Sequence, residues 1–221
     1  MVNVTYTTFS PDAKMRAAVL VEPGLIEIQG RSVPSPASGE VLVHVSSVGV
    51  CGSDSHYYRH GRPGNFVVTG PPILGHEAAG TIVAVGEGVA ESRVGQRVSI
   101  EPQHPDPDSA ETRSGRYNLC PHMPFFATPP TDGALCDYVT IGAAFAHPVP
   151  DTISEDAAAF CEPLSVGIPA VRKAAVTGGI QAVRPAGLDA MVTGRFPLKK
   201  AADALNSDQI PGSTKAVVQV S

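Results

Sequence analysis

The chain has 221 residues, enough for one large domain with a real core or for two small ones. Its formal net charge is −5 and no basic run is longer than the pair Lys199-Lys200, which argues against nucleic acid and acidic membranes as partners. The longest apolar runs fall far short of the ~20 residues that a membrane helix needs.

The segment 1–14 is polar and Thr-rich, with neither a basic start nor an apolar core, so it reads as a flexible extension rather than a secretory signal. Arg16–Val21 and Leu25–Gln29 are expected to form a hairpin turning at Pro23-Gly24. In Glu40–Val50, Val41, Val43 and Val45 alternate with Leu42, His44 and Ser46, the pattern of a strand with one buried face. Gly80–Val85 and Arg97–Ile100 read as further strands. Residues 101–134 are Pro-rich and polar with no sustained period, and are expected to be a long ordered lobe; Leu135–Ile141 is the next strand.

Helical signals come late. Ser154 is placed to cap a short turn over Glu155–Phe160. Pro163–Val176 is apolar at helical spacing and stops at Gly178-Gly179. Pro197 opens a turn continued by Leu198–Leu205, and Ala216–Val220 is a closing strand. With 22 glycines and 21 prolines, the backbone is broken too often for long helices. The four cysteines, Cys51, Cys120, Cys136 and Cys161, have irregular spacing and no CxxC pair, which fits reduced thiols in a cytoplasmic protein.

The densest chemistry lies in two short stretches. Gly75-His76-Glu77-Ala78-Ala79-Gly80 places an imidazole and a carboxylate at a strand start, among glycines that allow close backbone approach. On its own such a histidine is more often structural. Upstream stands Cys51-Gly52-Ser53-Asp54. A thiolate and an imidazole suit zinc, and a carboxylate completes a three-ligand site with one position left open, the mark of a catalytic rather than a structural metal.

The run Gly75-His76-Glu77-x-x-Gly80-x5-Gly86-x-x-Val89 resembles the zinc signature of the medium-chain alcohol dehydrogenases. Cys51-Gly52-Ser53-Asp54-x-His56-Tyr57, Gly115–Leu119, Phe125–Pro130 and Glu162–Gly167 narrow the resemblance to the sorbitol, xylitol and other polyol dehydrogenases. It implies a mainly β or α+β fold, a chaperonin-like (GroES-like), partly open barrel with a few peripheral helices. It implies Cys51, His76 and Glu77 as ligands of one zinc ion. Glu162 would be an outer carboxylate that exchanges with Glu77 or bonds the zinc-bound water. Ser53 would relay the substrate's proton, and Tyr57, Phe66 and Phe126 would line the pocket for a small polyol or alcohol, with ordinary core packing an equal alternative for each aromatic. Cys161, next to Glu162, is an alternative thiolate ligand. Gly194–Leu198 with Ala201–Leu205 resembles that family's C-terminal helix.

Two departures matter. Relatives with a second, structural zinc hold it on four cysteines; counting back from Cys120, the other positions here are Asp106, Ser109 and Thr112, so no structural zinc is expected. The family also carries a dinucleotide-binding domain with G-x-G-x-x-G, and no such run exists here; Gly86-Glu87-Gly88 is followed by Glu91 where the third glycine belongs. The expectation is therefore a catalytic domain over 15–221, its parts 15–179 and 180–221 rejoined after loss of a Rossmann cofactor domain, with no NAD bound and no hydride transfer by itself. Because relatives assemble through that domain, a monomer or a new dimer is expected, with an apolar patch left where the domain packed. Two other readings stay open: a zinc Lewis-acid hydrolase or hydratase, and a non-catalytic scaffold.

Overall fold

A computed structural model describes residues 10, 12–65, 67, 68, 70–175 and 185–221. Nine strands and six short α-helices build it: β1 (Lys14–Glu22), β2 (Leu25–Ser32), β3 (Glu40–Gly49), α1 (Gly52–His60), β4 (Glu77–Val85), β5 (Arg97–Ile100), α2 (Ala110–Arg113), β6 (Tyr138–Gly142), β7 (Ala146–Pro148), α3 (Glu155–Ala159), α4 (Cys161–Lys173), α5 (Pro185–Leu188), β8 (Val192–Pro197), α6 (Ala201–Leu205) and β9 (Lys215–Gln219). Mostly sheet with few helices and no closed barrel, it has the class that the sequence implied.

β1 and β2 form an antiparallel hairpin, and the other seven strands form one sheet ordered β7-β5-β4-β3-β9-β8, with β6 also pairing β3. β3 is the hub. β4 runs along one edge; on the other, β6 takes Glu40–His44 and β9 takes Ser47–Gly49. The hairpin is stitched on through Ala18 N–H to Leu135 O at 2.8 Å and Leu20 N–H to Pro72 O at 2.9 Å. This curls the structure into an open barrel whose interior holds Val19, Val41, Val43, Ile82, Leu135 and Ile141. Among the described residues no helix is long and apolar enough to cross a membrane.

Several expected elements shift. Leu42 and Val48 are buried together with Val41, Val43 and Val45, so β3 is covered on both faces rather than one; strands flank both its edges and α3 packs across it. β4 starts three residues earlier than expected, at Glu77, which puts that carboxylate inside the ladder. Leu135 and Cys136 precede β6, with Cys136 forming a bridge to Ala17 instead. Ser154 caps α3 as expected, accepting Ala157 N–H at 3.0 Å.

Of the expected C-terminal helix, Leu198–Leu205 is helical, as a 3-10 turn and α6, but Gly194–Pro197 lies in strand β8. Its half-buried Val192, Gly194 and Phe196 alternate with exposed Thr193, Arg195 and Pro197, a period of two. β8 pairs in parallel with β9. The C-terminal part is thus a working piece of the main sheet, clasped by Asp156: Arg195 Nε donates to Oδ2 at 2.7 Å and Ser47 Oγ to Oδ1 at 2.7 Å. Helix α4 has no buried residue. Residues 165–170 are all exposed, including Val166 at 65% and Ile168 at 40%. The expected junction near 179/180 lies outside the described residues.

Candidate metal centre

The chain leaves β3 at Gly49 and turns into α1, with Cys51 at the helix N-cap. Asp54, in the first turn, is 1% exposed and reaches back. Its Oδ2 accepts Cys51 N–H at 3.1 Å, and its Oδ1 accepts Gly75 N–H at 3.0 Å. One buried carboxylate thereby ties together the two stretches that the sequence singled out. Gly75 has φ 88°, and a Cβ there would meet Leu135 and Val48 side chains at 2.9 Å, so no other residue fits the turn that presents His76.

His76 Nδ1 lies 3.6 Å from Asp54 Oδ1, and its ring packs 5.5 Å from that of Phe125. Glu77 opens β4 directly opposite Gly49 and is 2% exposed. Donor atoms of Cys51, His76 and Glu77 all lie within 4.8 Å of one another, the one such group of three among the described residues. Both oxygens of the buried Glu77 carboxylate lie within ion-pair distance of Lys215 Nζ. A soft sulfur, an imidazole and a buried carboxylate form a donor set whose chemistry fits zinc.

The charges are coupled. Burial pushes the Cys51 thiol up, but hydrogen bonds from His76 and from the Ser53 hydroxyl and backbone outweigh it and hold the thiol below its ordinary value. Burial works against the His76 cation, yet the Asp54 carboxylate and then Cys51 overcome it, and its pKa is pushed up to about 11. Glu162, half-buried in the first turn of α4, is raised by burial and by Glu77 and Asp54, against the opposing pull of His76 and Lys215.

Of the expected pocket residues, Tyr57 is buried on α1 and accepts a hydrogen bond from Thr128, while burial raises its phenol. Phe66 lies outside the described residues. Phe126 packs on His104, with ring centroids 5.4 Å apart, and lines a cavity of about 480 Å³ together with Arg31, Tyr138 and Asp132. Its neighbour Phe125 faces His76, because the chain turns from Phe126 into Ala127, whose φ is 56°. Cys161 stands outside the donor cluster; its thiol, raised by burial, points at Ala157 O at 3.8 Å. In the lobe, the buried Cys120 donates its thiol to His122 O at 3.4 Å, and the Ser109 hydroxyl donates to Thr112 Oγ1 at 2.9 Å.

Lys215 was not legible as a site residue. Its Nζ donates to Glu77 Oε1 at 2.6 Å and lies 2.5 Å from Oε2. It belongs to no local motif and opens the otherwise ordinary strand β9, and only the β3–β9 pairing brings it here. Asp54 sits inside a motif, but its double anchoring needs the fold.

The alcohol dehydrogenase GroES-like domain profile matches residues 37–151. Sorbitol dehydrogenase of Gallus gallus is 47% identical over 163 residues, 74% of this chain and 46% of the relative. Sorbitol dehydrogenase of Bacillus subtilis (strain 168) is 43% identical over 192 residues, 85% of this chain and 54% of the relative. An Escherichia coli oxidoreductase/dehydrogenase of unknown specificity, 21% identical, superposes with a TM-score of 0.82 over 95% of this chain and 100% of its own, a likeness of fold. The chain belongs to the alcohol dehydrogenase family with a GroES-like domain, and its sequence relatives are polyol dehydrogenases. It spans about half the length of the relatives it matches.

Proposed function

We propose that this chain is the zinc-binding catalytic domain of a polyol dehydrogenase of the sorbitol or xylitol type, without the cofactor domain and so without hydride transfer of its own. The observation that carries the reading is the convergence of Cys51, His76 and Glu77 donors within 4.8 Å. The docking of β8 and β9 into the main sheet supports the view that 15–179 and 180–221 make one domain.

In this reading Cys51, His76 and Glu77 hold one zinc ion, which when bound polarises a substrate hydroxyl and lowers its pKa. Asp54 keeps Cys51 and His76 in place from behind. Ser53, hydrogen-bonded to Cys51 on the first turn of α1, is placed to pass the hydroxyl proton outward. Tyr57 and Phe125 give the site apolar walls, and Glu162 holds a proton more tightly than an ordinary carboxylate beside it. Oxidation would still need a hydride acceptor held against the substrate carbon. The expected substrate class is a small polyol or alcohol.

The raised Glu162 also favours a second reading, a Lewis-acid hydrolase or hydratase using Glu162 as proton acceptor. Metal analysis of the purified chain comes first. Zinc near one per chain, lost in Cys51→Ala, supports the metal site, and a metal-free protein refutes it. Sorbitol-dependent reduction of added NAD would refute the claim of no hydride transfer. Hydrolysis of activated esters, lost in Glu162→Gln, would favour the second reading.

A further inference from the structure

Glu77 is held from three directions. Its backbone is in the β4 ladder opposite Gly49. A Cβ on Gly49 would lie 2.1 Å from Oε2, so the carboxylate lies directly against that glycine. The remaining side is closed by Lys215, whose ammonium touches both oxygens at 2.6 and 2.5 Å. The two side chains are 15% and 3% exposed, so water screens this pair little. The Lys215 ammonium also sits 5.8 Å from the centre of the Phe160 ring, a second attraction that keeps it at this end of the sheet.

We propose that Lys215 is the resident counter-cation of Glu77, occupying the carboxylate while the site is metal-free, and that a metal ion has to displace it from at least one oxygen. The inference rests on the reading of Cys51, His76 and Glu77 as a metal site. A dication and an ammonium cannot both approach one carboxylate this closely without strong mutual repulsion in a dry setting. Without the ammonium, Glu77 would lose its nearest cation and be left with only the His76 imidazolium, which also faces Asp54, a costly state for a buried carboxylate. Lys215 therefore keeps the empty site folded and lowers its affinity for metal. Because Lys215 comes from β9, the C-terminal part of the chain sets the metal affinity of a site whose ligands all lie in the N-terminal part.

The test uses the whole chain, stripped of metal, at one pH and ionic strength. Cobalt(II) is titrated in, with the thiolate-to-metal and d–d absorption bands as readout, and zinc affinity is taken from competition with a chromophoric chelator. Lys215→Met keeps the stem and removes the charge; Lys215→Arg keeps the charge. Lys215→Met should bind metal about tenfold more tightly, the lower end of what removing an outer partner changes, while Lys215→Arg stays close to the parent. The metal-free Met variant should melt lower than the parent and gain more on zinc addition. Equal or weaker binding by Lys215→Met overturns the proposal and makes Lys215 an orienting donor. If neither protein binds metal, the metal-site reading falls and takes this one with it. Should the Met variant fail to fold, acetic anhydride labelling of the parent decides: zinc should raise the labelling rate of Lys215 relative to the other lysines, and an unchanged rate overturns the proposal.

Discussion

Gly49 on β3 stands directly opposite Glu77 on β4, and the absence of a side chain at Gly49 is what leaves room for the carboxylate. Gly49→Ala should therefore act on the metal site rather than on the fold. The added methyl meets the far end of a side chain, which can swing away, so the sheet should survive. Metal affinity should fall by about 10–100-fold, as for other losses of ligand orientation. Cobalt titration checks the first expectation and far-ultraviolet circular dichroism the second.

Asp54 is the second point of leverage. Asp54→Asn keeps the shape but replaces one acceptor by a donor that faces the Cys51 or Gly75 N–H, and removes the charge opposite His76. The expected cost is about 1–3 kcal/mol of stability from a buried backbone donor left without a partner. Metal binding should weaken as well. Urea denaturation of the metal-free protein gives the first number; an unchanged midpoint would show that Asp54 anchors neither loop.

The His76 pKa of about 11 lies above the ordinary 6.5, so in the metal-free protein the imidazolium is stabilised by folding. That contribution is complete below about pH 6.5 and disappears as pH rises through about 11. Metal binding runs the other way, because the imidazole must lose its proton to become a ligand, so affinity should climb with pH across this window. The Cys51 thiol, already lowered, has less to lose. Zinc added at pH 8 in weak buffer should release about one proton per site. Proton uptake, or none released, would mean that His76 is neutral before the metal arrives.

Asp156 joins α3 to β3 through Ser47 and to β8 through Arg195. Asp156→Ala leaves the buried Ser47 hydroxyl without its acceptor and should cost about 1–3 kcal/mol. Arg195→Ala should cost less, under about 1 kcal/mol, since the arginine is half exposed and water screens its pair with Asp156. Urea midpoints compare the two directly, and equal losses would contradict the assignment of the energy to the buried side.

The amino-acid sequence by itself determined the periodic elements and the short-range chemistry. The hairpin turning at Pro23-Gly24, β3, the Ser154 cap and the C-terminal strand were all legible, because each depends on residues a few positions apart. So were Cys51, His76 and Glu77 as a donor set, because two of them are adjacent and the glycines around them leave a recognisable spacing. Gly194–Pro197 was read as part of a helix although its alternation was present, because a strand this short gains its stability from β9 and Asp156 rather than from its own residues. Tertiary structure alone decided that Phe125 rather than Phe126 faces His76, since the turn beginning at Phe126 sends the two adjacent rings to different partners. It alone delivered Lys215 to Glu77 across 138 positions of sequence, through the pairing of β9 with β3, and it alone made Asp54 the anchor of both loops. Motif spacing records what neighbours in sequence must do together; a counter-ion from a distant strand answers only to charge, distance and burial, and these exist once the sheet has formed.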